Sequence, residues 1–262
     1  MLVRIASALV VSLAIALLAR RSASLSSSGA IAATVVGTLA LVAGWSWGIL
    51  LVAYFVSSSI LSRYRDREKQ RLNAAIVEKG GARDALQVLA NGGAFAAAAL
   101  LVVAEPGHAM RWQALGAGVL ATSASDTWAT EIGTLLGGAP RSILRWEPMP
   151  RGMSGGVTLA GTLAACAGAG FVALVVTIIS WPPRVALGAF AGGFVGSTID
   201  SLLGATLQTR RWCDACHATT ERAVHDCGLA TRHAGGIPGF GNDAVNFVSV
   251  LVGGLLSLLL IG

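Results

Sequence analysis

Apolar stretches recur along the chain at 2–19, 30–61, 86–104, 113–137, 157–180, 185–207 and 244–261, with polar segments between them. Each is long enough to cross about 30 Å of hydrocarbon as a helix. All are rich in Ala, Leu, Val and Gly, which lets helices pack closely in lipid. The second stretch is the longest and contains Gly44-Trp45-Ser46-Trp47-Gly48, with glycines to turn the chain and tryptophans suited to a membrane interface. It reads as one long helix or two short ones. The pattern predicts an all-α fold: a polytopic transmembrane bundle of seven or eight helices with short loops, one integral membrane domain over 1–262. The first stretch is read as a retained helix, because Arg20 and Arg21 follow it directly and no small-residue cleavage pattern is evident.

Only 12% of the 262 residues are charged, against 54% hydrophobic, and the mean hydropathy is +0.69; an ordinary soluble domain carries roughly one-quarter charged residues. Most of the 19 Lys and Arg fall in three segments, 63–83, 139–151 and 210–232. Basic residues stay on the cytoplasmic side, so loops 62–85, 137–156 and 208–242 are expected to face the cytoplasm together. A basic face beside anionic lipid or a phosphorylated ligand accounts for the net charge of +6 without any nucleic acid.

Within these apolar stretches stand carboxylates that need a reason. Asp126 lies ten residues before Leu136, about 15 Å along a helix, and Asp200 seven before Leu207, about 10 Å. Asp243 opens the last stretch. An intramembrane acid costs roughly 2.5–3.5 kcal/mol and marks a site or a pathway; the plainer reading is a hydrogen-bonding group within the bundle. Helical spacing adds Ser123 and Thr130 beside Asp126, Ser197 and Ser201 beside Asp200, and Asn242 and Asn246 beside Asp243. Oxygen donors of this kind suit Mg²⁺. Candidate metal ligands are Asp126, Asp200 and Asp243, with Glu131 either a further ligand or a solvated charge.

Candidate phosphate contacts come from the loops. Arg141 and Arg151 offer guanidinium forks. Arg151-Gly152-Met153-Ser154-Gly155-Gly156 leads into a helix whose free amides would favour an anion, which nominates Ser154, Gly155 and Gly156. Arg83 and Asp84 open another helix that carries Asn91 inward by two turns. These arginines and glycines equally suit topology and helix packing. In the loop before the last helix, Cys213, Cys216 and Cys227 stand near His217, His225 and His233. Disulfides are not expected on a reducing side, and three thiols with one imidazole would close a tetrahedral zinc site. Cys166 lies within a helix and reads as packing.

The phrases KGGARDALQVLANGG (79–93), SASDTWATEIG (123–133), PRGMSGGVTLAGT (150–162), GSTIDSLLGATLQ (196–208) and GNDAVNF (241–247) occur in this order. The chain thereby resembles the integral membrane proteins of domain of unknown function 92, which include transmembrane protein 19 and the plant phytyl phosphate kinase; the resemblance covers about 30–262. It implies a Mg²⁺-dependent kinase that transfers a phosphoryl group from a nucleotide, CTP or else ATP, to a phytyl- or geranylgeranyl-type monophosphate. In that reading Asp126, Asp200 and Asp243 are catalytic, and phosphates meet Arg83, Asn91, Arg141, Arg151, Ser154, Gly155, Gly156, Ser197, Ser201, Asn242 and Asn246. The alternatives are a CTP-dependent lipid nucleotidyltransferase and a transporter of a phosphorylated lipid or an ion. A transporter should expose its acids to both sides in turn, whereas these crowd one side.

Overall fold

The structure, a computed structural model, describes residues 2–73, 76 and 81–262. Lys79 and Gly80, which begin the first family phrase, lie outside the described residues. Among the described residues there are nine α-helices: α1 (Leu2–Arg21), α2 (Ser27–Ala43), α3 (Trp45–Arg63), α4 (Asp66–Asn73), α5 (Ala85–Ala104), α6 (Ala109–Leu136), α7 (Leu159–Ile178), α8 (Pro183–Thr206) and α9 (Asn242–Leu259). Six of them, α1, α3, α5, α7, α8 and α9, are long and apolar enough to cross a membrane. α2 is shorter at 17 residues, about 25 Å of rise. α6 has 28 residues and is diluted by polar groups, the acids Asp126 and Glu131 among them. The chain is a multi-pass integral membrane protein whose bundle is built from these eight helices, α4 being short and polar.

Local chemistry sets the boundaries. The long second stretch divides at Gly44, whose φ of 155° interrupts the helix in a single residue. α2 is capped by Ser26, whose hydroxyl accepts from the Gly29 N–H at 3.1 Å, and α7 by Thr158, which accepts from Gly161 at 3.0 Å. α5 starts with a reciprocal cap: the Gln87 N–H donates to Asp84 Oδ1 at 2.9 Å, and the Asp84 N–H to Gln87 Oε1 at 3.0 Å. Such caps satisfy amides that a helix end leaves unpaired.

The centre of the bundle is α6, packed against α7, α8 and α9, with α5 and α3 on its other flank. Gly253 marks the tightest crossing. A Cβ there would lie 2.0 Å from Thr122 Oγ1 of α6 and 2.8 Å from the Gly192 carbonyl of α8, so only glycine lets the three backbones approach. Trp47, expected at an interface, is instead 2% exposed. It sits between Phe95 and Trp181, with ring centroids 5.2 and 5.0 Å away, and its large apolar area is worth more there than at the lipid headgroups. Trp45, two residues earlier, remains exposed.

The connections fall at two ends. At one, α2 meets α3 at Gly44, and residues 105–108 and 179–182 make tight turns. At the other, four connections converge. The Ser26 N–H donates to the Arg83 carbonyl and the Arg83 N–H to the Ser24 carbonyl, both at 3.0 Å, which joins the α1–α2 turn to the start of α5. The α6–α7 connection carries an antiparallel pair, β1 (Arg141–Ser142) and β2 (Gly156–Val157). The α8–α9 connection, far from a short loop, folds into a three-stranded antiparallel sheet of β3 (Arg210–Cys213), β4 (Ala218–Thr220) and β5 (Arg232–Gly235), in the order β4-β3-β5. Glu221, just after β4, accepts from the Ser154 N–H at 2.9 Å, and its own N–H donates to the Ile76 carbonyl at 3.1 Å. The α4–α5, α6–α7 and α8–α9 connections are thus hydrogen-bonded to one another.

Candidate active site

Under these connections lies a cavity of about 1260 Å³. α6 contributes Asp126, Thr130 and Glu131; α8 contributes Ser197, Asp200 and Ser201; α9 contributes Asn242, Asp243 and Asn246. Arg83 and Asn91 line it from the start of α5, and Arg151, Ser154, Gly155 and Gly156 from the α6–α7 connection. Carboxylates from three helices therefore face one space, roofed by cationic side chains from two loops.

Each acid is held differently. Asp200 accepts from Ser249 Oγ of α9 at 2.8 Å, which fixes its carboxylate across the α8–α9 contact. Asp126 shares that space with both Asp200 and Glu131. Glu131 is paired with Lys69 of α4, a cation 6% exposed that also donates to the carbonyls of Leu61 and Ser62 at 2.8 and 2.6 Å. An ammonium buried this way is satisfied by three acceptors, and it joins α3, α4 and α6 at the cavity wall. Arg83 donates to Ser59 Oγ at 3.1 Å and Ser62 Oγ at 3.4 Å of α3, with its guanidinium over the Phe55 ring.

A second cavity of about 490 Å³ lies between α1, α2, α3 and α5. Val11, Ile15, Val36, Leu41, Leu51 and Phe55 are among its walls, and it is almost wholly apolar. Tyr54, Arg83, Gln87 and Asn91 line both cavities. A polar chamber and an apolar one therefore meet at a single rim.

A profile of the integral membrane protein DUF92 matches residues 10–254. The chain belongs to the DUF92 family. Protein PGR of Arabidopsis thaliana is 33% identical over 97% of this chain and 95% of its own length. An uncharacterized membrane protein of Methanocaldococcus jannaschii is 26% identical over 99% of this chain and 95% of its own length. The chloroplastic Protein VTE6 of Arabidopsis thaliana is 28% identical over 90% of this chain and 65% of its own length. No solved structure matches.

This DUF92 chain departs from its sequence-based site in three places. Arg141 is not on the cavity wall: its guanidinium donates to the Trp146 carbonyl at 2.7 Å and lies over the Trp146 ring, because its strand position in β1 turns it outward. The segment 151–156 does not enter a helix directly. It runs into β2, and α7 begins only at Leu159 behind the Thr158 cap. Three of its amides are already taken, Met153 by the Pro150 carbonyl, Ser154 by Glu221 and Gly156 by the Met153 carbonyl. What remains is a strained turn: Gly155 has a φ of +85°, and a Cβ there would meet Ala205 Cβ of α8 at 2.5 Å. Ser123 is the third. It bonds the Asn91 carbonyl at 3.1 Å and ties α6 to α5.

Sequence reasoning missed Lys69 and Glu221. Lys69 counted only as one positive charge in a basic loop, and no motif or spacing singled out Glu221. Glu221 is 9% exposed, and its second oxygen accepts from Gln208 Nε2 at 2.8 Å. Their burial is set by partners that lie far away in sequence.

The three thiols also converge, with His225 rather than His217 or His233. Their ligand atoms and that of His225 lie within 4.8 Å of one another. Chiefly the Leu229 N–H pushes the Cys227 thiol down to about 6, whereas hydrogen bonding to Cys227, then desolvation and Cys213, push Cys216 up to about 11.

Proposed function

We propose that this protein is a Mg²⁺-dependent kinase of isoprenoid monophosphates, using CTP or another nucleoside triphosphate and giving the prenyl diphosphate. The observation that carries the reading is the shared rim of the two cavities. An isoprenoid monophosphate has an anionic head and a long apolar tail, and Tyr54, Arg83, Gln87 and Asn91 stand where the apolar chamber gives way to the polar one. The family resemblance supports the same substrate class.

In this reading the acceptor's phosphate sits near Arg83 and Asn91, and the nucleotide phosphates meet Arg151 and the turn at Ser154–Gly156. An oxygen of the acceptor's phosphate attacks the terminal phosphorus of the donor. The bond from that phosphorus to its bridging oxygen breaks, and the nucleoside diphosphate leaves with the electron pair. The attacking oxygen is already anionic, so no strong base is required, and the work is positioning and charge neutralisation. By donor chemistry Asp126, Asp200 and Asp243 fit Mg²⁺, which would supply positive charge beside the transferring phosphoryl group. The loop-bearing end, where the basic residues gather, is the cytoplasmic end, so soluble nucleotide reaches it directly.

The test is purified protein with Mg²⁺, geranylgeranyl or phytyl monophosphate, and CTP, ATP, GTP or UTP in turn, with lipid and nucleotide products read by mass spectrometry. Prenyl diphosphate with the matching nucleoside diphosphate supports the kinase. A nucleotide-linked lipid with pyrophosphate would replace it by the transferase, and no turnover with any donor would leave the carrier reading. The apolar chamber makes its own prediction. Ala33 of α2 is on its wall, and Ala33→Phe should raise KM about tenfold for a long-chain acceptor, the worth of one to two lost methylene contacts, while barely changing KM for a short-chain one. Equal effects on both acceptors would place the tail elsewhere.

A further inference from the structure

The α8–α9 connection holds a group of side chains that the proposed reaction does not use. Cys213 ends β3 and Cys216 sits in the turn to β4, followed by His217 in the left-handed region at φ 48°. Opposite them, residues 225–229 form a tight turn. The His225 N–H donates to the Leu229 carbonyl at 3.0 Å and the Gly228 N–H to the His225 carbonyl at 2.9 Å, with Gly228 at φ +84°. Two turns thus face each other, and each ends its second ligand-bearing residue with a left-handed one. One presents Cys-x-x-Cys and the other His-x-Cys.

The side chains converge in a way that ordinary packing does not explain. Cys213 Sγ and Cys227 Sγ are 3.6 Å apart, far beyond a disulfide bond of about 2.05 Å. That separation is close to the edge of a tetrahedron around a metal with metal–sulfur bonds of about 2.3 Å, which is about 3.8 Å. Cys213 is fully buried and His225 is 8% exposed, and neither ring nitrogen of His225 makes a hydrogen bond. A buried imidazole without a partner costs stability unless something else engages it. One ligand atom from each of the four residues, all within 4.8 Å of one another, provides that engagement around a single ion.

We infer that Cys213, Cys216, His225 and Cys227 bind one structural zinc ion, which locks the β3–β4–β5 sheet onto the cavity. Three thiolates and one imidazole in a closed tetrahedron, with no position left for water, are a structural rather than a catalytic set, and soft sulfur ligands favour zinc over the hard cation suited to the three aspartates. The mechanical link runs along β4. Cys213 pairs with Ala218 in the β3–β4 register, β4 ends at Thr220, and the next residue, Glu221, holds the Ser154 amide and Gln208. Pinning the two turns therefore fixes the carboxylate that fixes the α6–α7 turn.

The experiment reads metal, not turnover, so it stands apart from the kinase reading. Full-length protein purified in detergent without chelator is expected to carry about one zinc per chain by elemental mass spectrometry. Cys213→Ser and Cys227→Ser should each lose most of it, while Cys166→Ser, in α7, should keep it. Because a ligand variant can fail to fold, the wild-type protein should also be produced with Co²⁺ in place of Zn²⁺. Thiolate-to-cobalt charge-transfer bands together with intense tetrahedral d–d bands are expected. Metal-free wild-type protein whose three loop thiols alkylate freely, a Cys213–Cys227 disulfide in the purified chain, or stoichiometric iron would each overturn the proposal.

Discussion

Asp126→Asn is expected to lower prenyl diphosphate formation by about a hundred- to a thousandfold, the usual cost of losing one preorganised electrostatic partner of a transition state. The substitution keeps the shape and removes the charge. Asp126 shares its cavity with Asp200 and Glu131, and an intramembrane carboxylate costs roughly 2.5–3.5 kcal/mol. Removing that charge should therefore leave the protein as stable as before, or slightly more so. Asp200→Asn should behave alike, because the amide oxygen can still accept from Ser249. Product formation by mass spectrometry, together with the melting temperature of each variant in detergent, checks both halves. Wild-type turnover in either variant would take that aspartate out of the reaction, and inactivity with a much lower melting temperature would make it a structural group.

The opposite pattern is expected of Gly253→Val. Its first added carbon would fall 2.0 Å from Thr122 Oγ1 and 2.8 Å from the Gly192 carbonyl. Neither neighbour can yield, since one side chain is fully buried and the other atom is helix backbone. Overpacking costs typically 1–3 kcal/mol and occasionally more, and here three helices would have to part at once, so about 3 kcal/mol or above is expected. The variant should lose most of its monodisperse yield and melt well below the wild type. Gly107→Ala is the matched control, since a Cβ there meets nothing within 4 Å. Equal melting temperatures for the two variants would show that the crossing is looser than its backbone distances imply.

The membrane-spanning part was legible because lipid imposes one rule on every segment: a helix must be apolar along a fixed length. Even the division at Gly44 was visible as an ambiguity, and the structure resolves it with one residue of left-handed φ. The acids were legible for the same reason, as exceptions to that rule. The loop end obeys no such rule. α4 and the β3–β4–β5 sheet are held by contacts across long sequence distances, such as Lys69 with Glu131 and Glu221 with Ser154. Arg141 and Arg151 are equivalent as loop charges, yet Arg141 lies in β1 and turns outward, whereas Arg151, between the two strands, stands on the cavity wall. Trp47 and Trp45 share one short motif, yet helix phase sends one into the core and the other to the surface.

The uneven ends of the bundle have a consequence for membrane sidedness. Tight turns close one end, and every connection that bears on the polar chamber lies at the other. In the proposed reaction, acceptor and product then belong to a single monolayer, and nothing moves a headgroup through the bilayer. In sealed vesicles that present only the loop end to the medium, conversion should stop once the outer-leaflet acceptor is used. The inner-leaflet lipid should become a substrate only when detergent or a scramblase abolishes the distinction.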